Sequence, residues 1–182
     1  MSAPVPTPPT PWTVRQCYPG DEANLQLIGG ATFLETFAGV MGGGDIVTHW
    51  QVQHSQSLYG PWLADGEPRI WMAETEDRVS PIGYIVVGDS KMPLPDLGPD
   101  DIEIKRIYLL SRFHGQGAGQ GMMDQALAHA QALGRKRILV GVYAGNVRAI
   151  RYFERNGFMQ KGERRFTVGS TVYRDIIYAR PV

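Results

Sequence analysis

Along the chain the apolar positions switch between two spacings, one of two residues and one of 3.6. WTVRQCY, residues 12–18, alternates and carries aromatic and β-branched side chains, which predicts a short strand. PGDEANLQLI follows as a turn entering a helix, with Asp21 at the N-cap position. FLETFAG sets Phe33, Leu34 and Phe37 at helical spacing. GGGD at 42–45 breaks the pattern and IVTHWQVQHSQSLY resumes it, so two helices with a loose joint are expected between about 23 and 59. His49 and His54 fall on the second of these, five residues apart, which suits a polar surface helix better than a helical metal pair.

Strands then come in quick succession. RIWMAET and IGYIVVGDS flank a polar turn around Asp77 and predict an antiparallel hairpin. KMPLPDLGPDD is a Pro-rich loop and IEIKRIYLL another strand. A glycine-rich turn opens a helix over about 119–133, RILVGVYA is a strand, and NVRAIRYFERNGF is a helix ended by Gly157. FTVGSTVYRDIIYAR reads as two strands around Gly169 and Ser170. The order is strand, two helices, three strands, helix, strand, helix, two strands. The fold class is therefore mixed α/β: a central mixed, mainly antiparallel sheet flanked by helices, with one crossover at the glycines.

Composition narrows this only at the edges. The chain has 182 residues, with a Pro-rich arm over 1–11 and one domain expected over 12–182. Eighteen basic and eighteen acidic residues cancel, so no field favours nucleic acid. Cys17 is the only cysteine, which rules out an intramolecular disulfide and a Cys-based zinc cluster. No apolar run is long enough to span a bilayer, and the N-terminus lacks the basic and apolar regions of a secretory signal. A soluble, cytoplasmic protein is expected. The stretch TVYRDIIYA is a place where a sheet edge could pair with a second copy as a homodimer.

The glycines raise the chemical question. Gly115, Gly117, Gly119 and Gly121 alternate at the mouth of a helix. Each costs roughly 0.5–1 kcal/mol relative to alanine inside a regular element. The first N–H groups of a helix lack internal partners and lie at the positive end of its dipole, so a strand, tight turn and helix make an anion site. Bare glycines let a pyrophosphate approach those groups. No G-x-x-x-x-G-K-[ST] string occurs, and G-x-G-x-x-G fails from Gly115, whose sixth residue is Gln120, and from Gly117, whose sixth is Met122. HGQGAG, residues 114–119, fits the last five positions of [QR]-x-x-G-x-[GA].

This stretch resembles the coenzyme A loop of the GCN5-related N-acetyltransferases (GNAT). NVRAIRYFERNGF is similar to a second motif of that family at Asn146, Ala149, Tyr152, Gly157 and Phe158. The likeness covers about the second half of the chain, and within the family it is similar to the branch that acetylates spermidine and spermine. The resemblance implies acetyl-CoA as co-substrate, no metal, and an amine acceptor that attacks directly, without an acyl-enzyme. Backbone groups of Ile107, Tyr108 and Leu109 would bond the pantetheine and the acetyl carbonyl. His114, Gly115, Gln116, Gly117, Ala118 and Gly119 would hold the pyrophosphate, and Asn146 would contact the coenzyme. Glu103 stands where some members carry a strand glutamate as base. Such an amine has a pKa near 10.4, so roughly one molecule in a thousand is unprotonated at neutral pH, and a base must collect the proton.

Two positions depart from the family. His114 replaces Gln or Arg, which implies a weaker or pH-dependent phosphate contact. Phe153 stands at the usual position of the general-acid tyrosine and becomes a wall beside the thiol. Tyr152 cannot simply replace that tyrosine, because neighbouring helical residues lie about 100° apart around the axis. Tyr108 and Tyr143 are the stand-in acids. Arg112, Arg148 and Arg151 are candidates for the adenosine phosphates, and Glu35 for a cationic amine, each also read as an ordinary surface charge. A polyamine-like acceptor leads. The alternatives are a protein N-terminus or lysine, and an acetyl-CoA sensor without useful turnover.

Overall fold

The computed structural model describes residues 10–182, so most of the Pro-rich arm lies outside the described residues. The strands are β1 (Trp12–Gln16), β2 (Arg69–Thr75), β3 (Pro81–Asp89), β4 (Asp101–Leu109), β5 (Arg137–Tyr143), β6 (Met159–Val168) and β7 (Thr171–Pro181). They form one seven-stranded sheet in the order β1-β2-β3-β4-β5-β7-β6. Every neighbouring pair is antiparallel except β4 with β5. The helices are α1 (Glu22–Phe37), α2 (Gly43–Gln53), α3 (Gln56–Asp65), α4 (Ala118–Ala132) and α5 (Val147–Arg155).

β2 and β3 read as unbroken apolar runs rather than alternating ones because both of their faces are covered. On one face Trp71, Ile85, Ile102, Ile104 and Val140 pack with Met122, Met123 and Ala126 of α4 and Phe153 of α5. On the other, Met72, Tyr84 and Val86 meet Leu25 and Ile28 of α1 and Tyr59 and Leu63 of α3. The crossover at the glycines joins β4 to β5, the one parallel strand pair among the described residues, as expected.

Three expectations are corrected. Three helices, not two, separate β1 from β2. The second expected helix breaks at Ser55, whose hydroxyl accepts the Leu58 N–H at 3.2 Å and caps α3. That break turns His54 inward, to 1% exposure, instead of leaving it on a surface helix. β7 is internal, paired with β5 and β6, so the edge strands are β1 and β6 and the TVYRDIIYA stretch offers no free edge. Asp21 does occupy the N-cap of α1, but its carboxylate accepts from Arg15 and the Tyr18 N–H instead of capping the helix.

A long-range tie closes the sheet's far end. The Asp45 carboxylate, in the first turn of α2, accepts the Ser170 N–H at 2.9 Å and the Thr171 hydroxyl at 2.6 Å. Gly169 beside it has φ +57°, and a Cβ there would collide with Asp45. The α2 helix is thereby fastened to the β6–β7 hairpin.

Candidate active site

The site begins where β4 and β5 part. They pair only from Asp101 with Arg137 to Ile104 with Val140. Against β3, Val86 pairs with Arg106 and Val87 with Ile104, so Lys105 is an extra, bulged residue. Beyond the bulge, residues 105–109 keep β3 on one side and have no ladder to β5 on the other. Of the expected trio, Ile107 and Leu109 turn their backbone groups to this free edge, whereas Tyr108 is the residue paired with Tyr84 and turns its own to β3, in step with the Leu110 N–H bonded to the Ile82 carbonyl.

The glycine loop stands just beyond it. Among the described residues, the N–H groups of residues 115–120 donate to no protein group; the first bonded one is Gly121, to the Gly117 carbonyl at 2.9 Å. Gly115 and Gly117 have φ +77° and +93°, a left-handed conformation that side chains resist. Gly117 is the N-cap of α4, so its dipole adds to this row of donors. The loop is gripped from both sides. The Trp12 indole N–H donates to the Gln116 carbonyl at 2.9 Å, and the Tyr152 hydroxyl to the Gly119 carbonyl at 2.8 Å.

The other face of the opening is aromatic. Phe33, Phe37, Met41, Ile46 and Val168 cluster there with Tyr108, Tyr143 and Tyr173. Below the rings lie two buried carboxylates, Glu103 and Asp175, 7% and 6% exposed. The Arg164 guanidinium joins them, 3.1 Å from Asp175 and 3.9 Å from Glu103, and lies over Gly141, where any Cβ would clash with it. Burial raises the Asp175 carboxyl, and Arg164 opposes the rise. Burial also pushes the Tyr108 phenol up to about 12, Arg106 lowers it, and the charge of Asp175 adds to the rise.

The sequence-predicted residues are distributed as follows. Glu103 is held under the loop after β3, near Ser90 Oγ and the Lys91 N–H at 3.4 and 3.3 Å, and sits in the paired part of β4, one level below the opening. Phe153 is a core residue, 3% exposed against Phe158, with no group to donate a proton. His114 Nε2 lies 2.8 Å from the Leu109 carbonyl. Its Nε2–H is therefore engaged there and only Nδ1 remains for a phosphate, as a donor when protonated, which narrows the expected contact to the charged ring. It also engages one of the Leu109 groups expected to bond pantetheine. Asn146 caps α5, accepting the Ala149 N–H at 3.1 Å. Glu35 accepts from the Ser111 N–H and hydroxyl at 2.9 and 2.8 Å.

Both histidines pack against aromatic residues on this face. His49 stacks on Phe33 at 4.2 Å, and His54 Nδ1 lies 3.1 Å from the Tyr59 hydroxyl. Burial, then the Arg106 charge, brings His49 down to about 4; the same causes, with His49 added, bring His54 down to about 3. Both are neutral at neutral pH. Sequence reasoning missed Trp12, Tyr152 as a loop anchor, Arg164 and Asp175. Gly121, four after Gly117, was a signal for Trp12: a second glycine one helical turn on implies a large neighbour.

Among the described residues, no group of three or more His, Cys, Asp or Glu side chains is placed to hold a metal ion. None of the described helices is long and apolar enough to cross a membrane.

Residues 44–158 match the model of the Acetyltransferase (GNAT) family. An uncharacterized N-acetyltransferase of Mycobacterium bovis is 29% identical over 126 residues, 69% of this chain and 75% of that protein. A spermine/spermidine N(1)-acetyltransferase of Bacillus subtilis is 28% identical over 74 residues, 40% of this chain and 49% of that one. Among solved structures, the PaiA N-acetyltransferase of Thermoplasma acidophilum in complex with coenzyme A superposes with TM-score 0.76 at 16% identity, covering 94% of this chain and 99% of that one. A ribosomal-protein-alanine N-acetyltransferase of Brucella melitensis does so with TM-score 0.69 at 16% identity, covering 93% and 99%. These two likenesses concern the fold.

Proposed function

The chain belongs to the GNAT acetyltransferase family, and from that premise we propose that it moves the acetyl group of acetyl-CoA to a primary amine on a small, polyamine-like molecule. The observation that carries the reading is the pairing of two features at one opening: the free edge of β4 after the Lys105 bulge, and the unpartnered N–H groups of residues 115–120. A bent, anionic, amide-bearing ligand fits both. The N–H row takes the pyrophosphate. The outward backbone groups of Ile107 and Leu109 on the β4 edge take the pantetheine amides and polarise the thioester carbonyl, with Tyr108 between them and Asn146 alongside the coenzyme. One backbone donor aimed at a developing oxyanion is worth roughly 3 kcal/mol in a water-poor cleft.

The acceptor comes from the aromatic face. Rings of Phe33, Tyr108, Tyr143 and Tyr173 with carboxylates behind them suit an ammonium ion. The likeness to the Bacillus subtilis polyamine enzyme supports the same class. Glu103 and Asp175 are the carboxylates that take the amine proton, and Asp175 stands nearer the opening. Tyr108, held in its phenol form by burial, is the donor for the leaving thiolate in place of the tyrosine missing at Phe153. Transfer is direct. The sole cysteine, Cys17, is buried and its thiol is pushed up to about 12 by burial, so it offers no thiolate for an acyl-enzyme.

The test is acetyl-CoA-dependent thiol release across pH, with spermidine, spermine, simple diamines, lysine peptides and N-terminal peptides as acceptors. Turnover that rises with pH and is confined to the small amines supports the reading. Turnover only on peptides moves the protein to the protein-modifying class. Saturable acetyl-CoA binding with no turnover on any amine makes it a sensor.

A further inference from the structure

Four glycines in alternation need more than a phosphate to explain them. A Cβ on Gly115 would meet nothing within 4 Å, so that residue answers to its backbone angle alone. A Cβ on Gly119 would make only ordinary contact with Tyr152, at 3.7 Å. The other two share one neighbour. A Cβ on Gly117 would come to 3.1 Å from the Trp12 ring, and one on Gly121 to 3.0 Å from the same ring and 3.3 Å from Val14. Half of the pattern thus makes room for an indole that arrives from a strand 104 residues earlier in the chain.

The hydrogen bond says what the indole does. In a trans peptide the C=O and the following N–H point in opposite directions. Trp12 Nε1–H holds the Gln116 carbonyl at 2.9 Å. The Gly117 N–H is therefore turned away from the indole, into the row of free donors. Glycine at φ +93° has little steric preference of its own, so this peptide could rotate without the anchor. A rotated peptide would present a carbonyl oxygen to an anion.

We infer that Trp12 is a positioning residue for coenzyme binding, fixing the Gln116–Gly117 peptide plane so that the Gly117 N–H faces the pyrophosphate. The inference rests on the proposed placement of that group on the glycine loop. It makes β1, an edge strand distant in sequence, part of the coenzyme site without touching the coenzyme.

The experiment compares acetyl-CoA with S-acetylpantetheine, which carries the same thioester and lacks the pyrophosphate and nucleotide. Trp12→Phe keeps an aromatic ring and removes the donor. The expected result is a five- to twentyfold rise in KM for acetyl-CoA, kcat within twofold, and KM for S-acetylpantetheine within twofold. Val14→Ala, which trims the same strand's contact with Gly121, serves as the packing control and should leave the ratio of the two KM values unchanged. An unchanged acetyl-CoA KM in Trp12→Phe, an equal loss for both thioesters, or the same ratio shift in Val14→Ala would each overturn the assignment. Failure of the underlying site reading looks different: wild-type protein would then show no preference for acetyl-CoA over S-acetylpantetheine.

Discussion

The two sides of the β4–β5 opening are built differently. On the proposed coenzyme side the groups on offer belong to the backbone: consecutive N–H groups of residues 115–120 and the edge of β4, with Trp12 and Tyr152 bonded to the loop's carbonyls. On the proposed acceptor side they are side chains, with Phe33, Phe37, Tyr108, Tyr143 and Tyr173 coming from four different elements. A backbone site recognises what every acetyl-CoA shares and tolerates most side-chain changes, provided the glycines stay. A side-chain site changes its ligand with each substitution. One face can stay constant while the other is re-cut for a new amine.

The sharpest way to break the contrast is Gly117→Val. It puts a branched side chain at φ +93° and against Trp12, and coenzyme A affinity measured by calorimetry should fall at least ~100-fold. The acceptor side should respond to acid instead. Unfolded His54 takes up a proton near its ordinary value of 6.5, whereas the folded residue resists down to about 3. Falling pH therefore favours the unfolded chain across that window. About 1–2 kcal/mol of stability should be lost between pH 7 and 5. Denaturant melts of His54→Gln should show a flatter slope over the same range, whatever their absolute stability.

Smaller effects sharpen the division. Tyr173→Ala should raise KM for the amine roughly tenfold, ~1.4 kcal/mol, and leave that for acetyl-CoA within twofold in steady-state assays. Phe153→Tyr should change kcat by less than about fivefold, because Tyr108 already serves as the proposed donor and a thiol that ionises near pH 8.5 gains little from a second one. A gain of a hundredfold would mean that the missing general acid limits the wild-type reaction.

The same contrast explains what could be read from the sequence. The glycine turn at the mouth of α4 was legible because its groups are consecutive and its geometry demands glycine. The succession of strands along the chain followed from short β-rich runs between turns; their order within the sheet did not. The aromatic wall was not legible, since nothing periodic links Phe33 to Tyr108 or Tyr173. Asp175 was hidden for the same reason, as its partner Arg164 is known only from the β6–β7 register. His54 was misplaced because QHSQSLY continues a helical period, and Ser55 has leucine rather than Glu or Gln at the third helical position, so no capping box announces the break. The bond of the His114 ring to the Leu109 carbonyl was not legible either, since only the chain's turn at the loop brings the two together.

The Asp45 tie has a kinetic consequence. It joins α2 to the β6–β7 hairpin across 125 residues of chain, and Ile46 and His49 on α2 lie with Val168 and Phe166 of the hairpin beside the aromatic cluster. Two segments distant in sequence should therefore open as one, with a single shared rate of amide-hydrogen exchange in the native protein and two separate rates in Asp45→Ala.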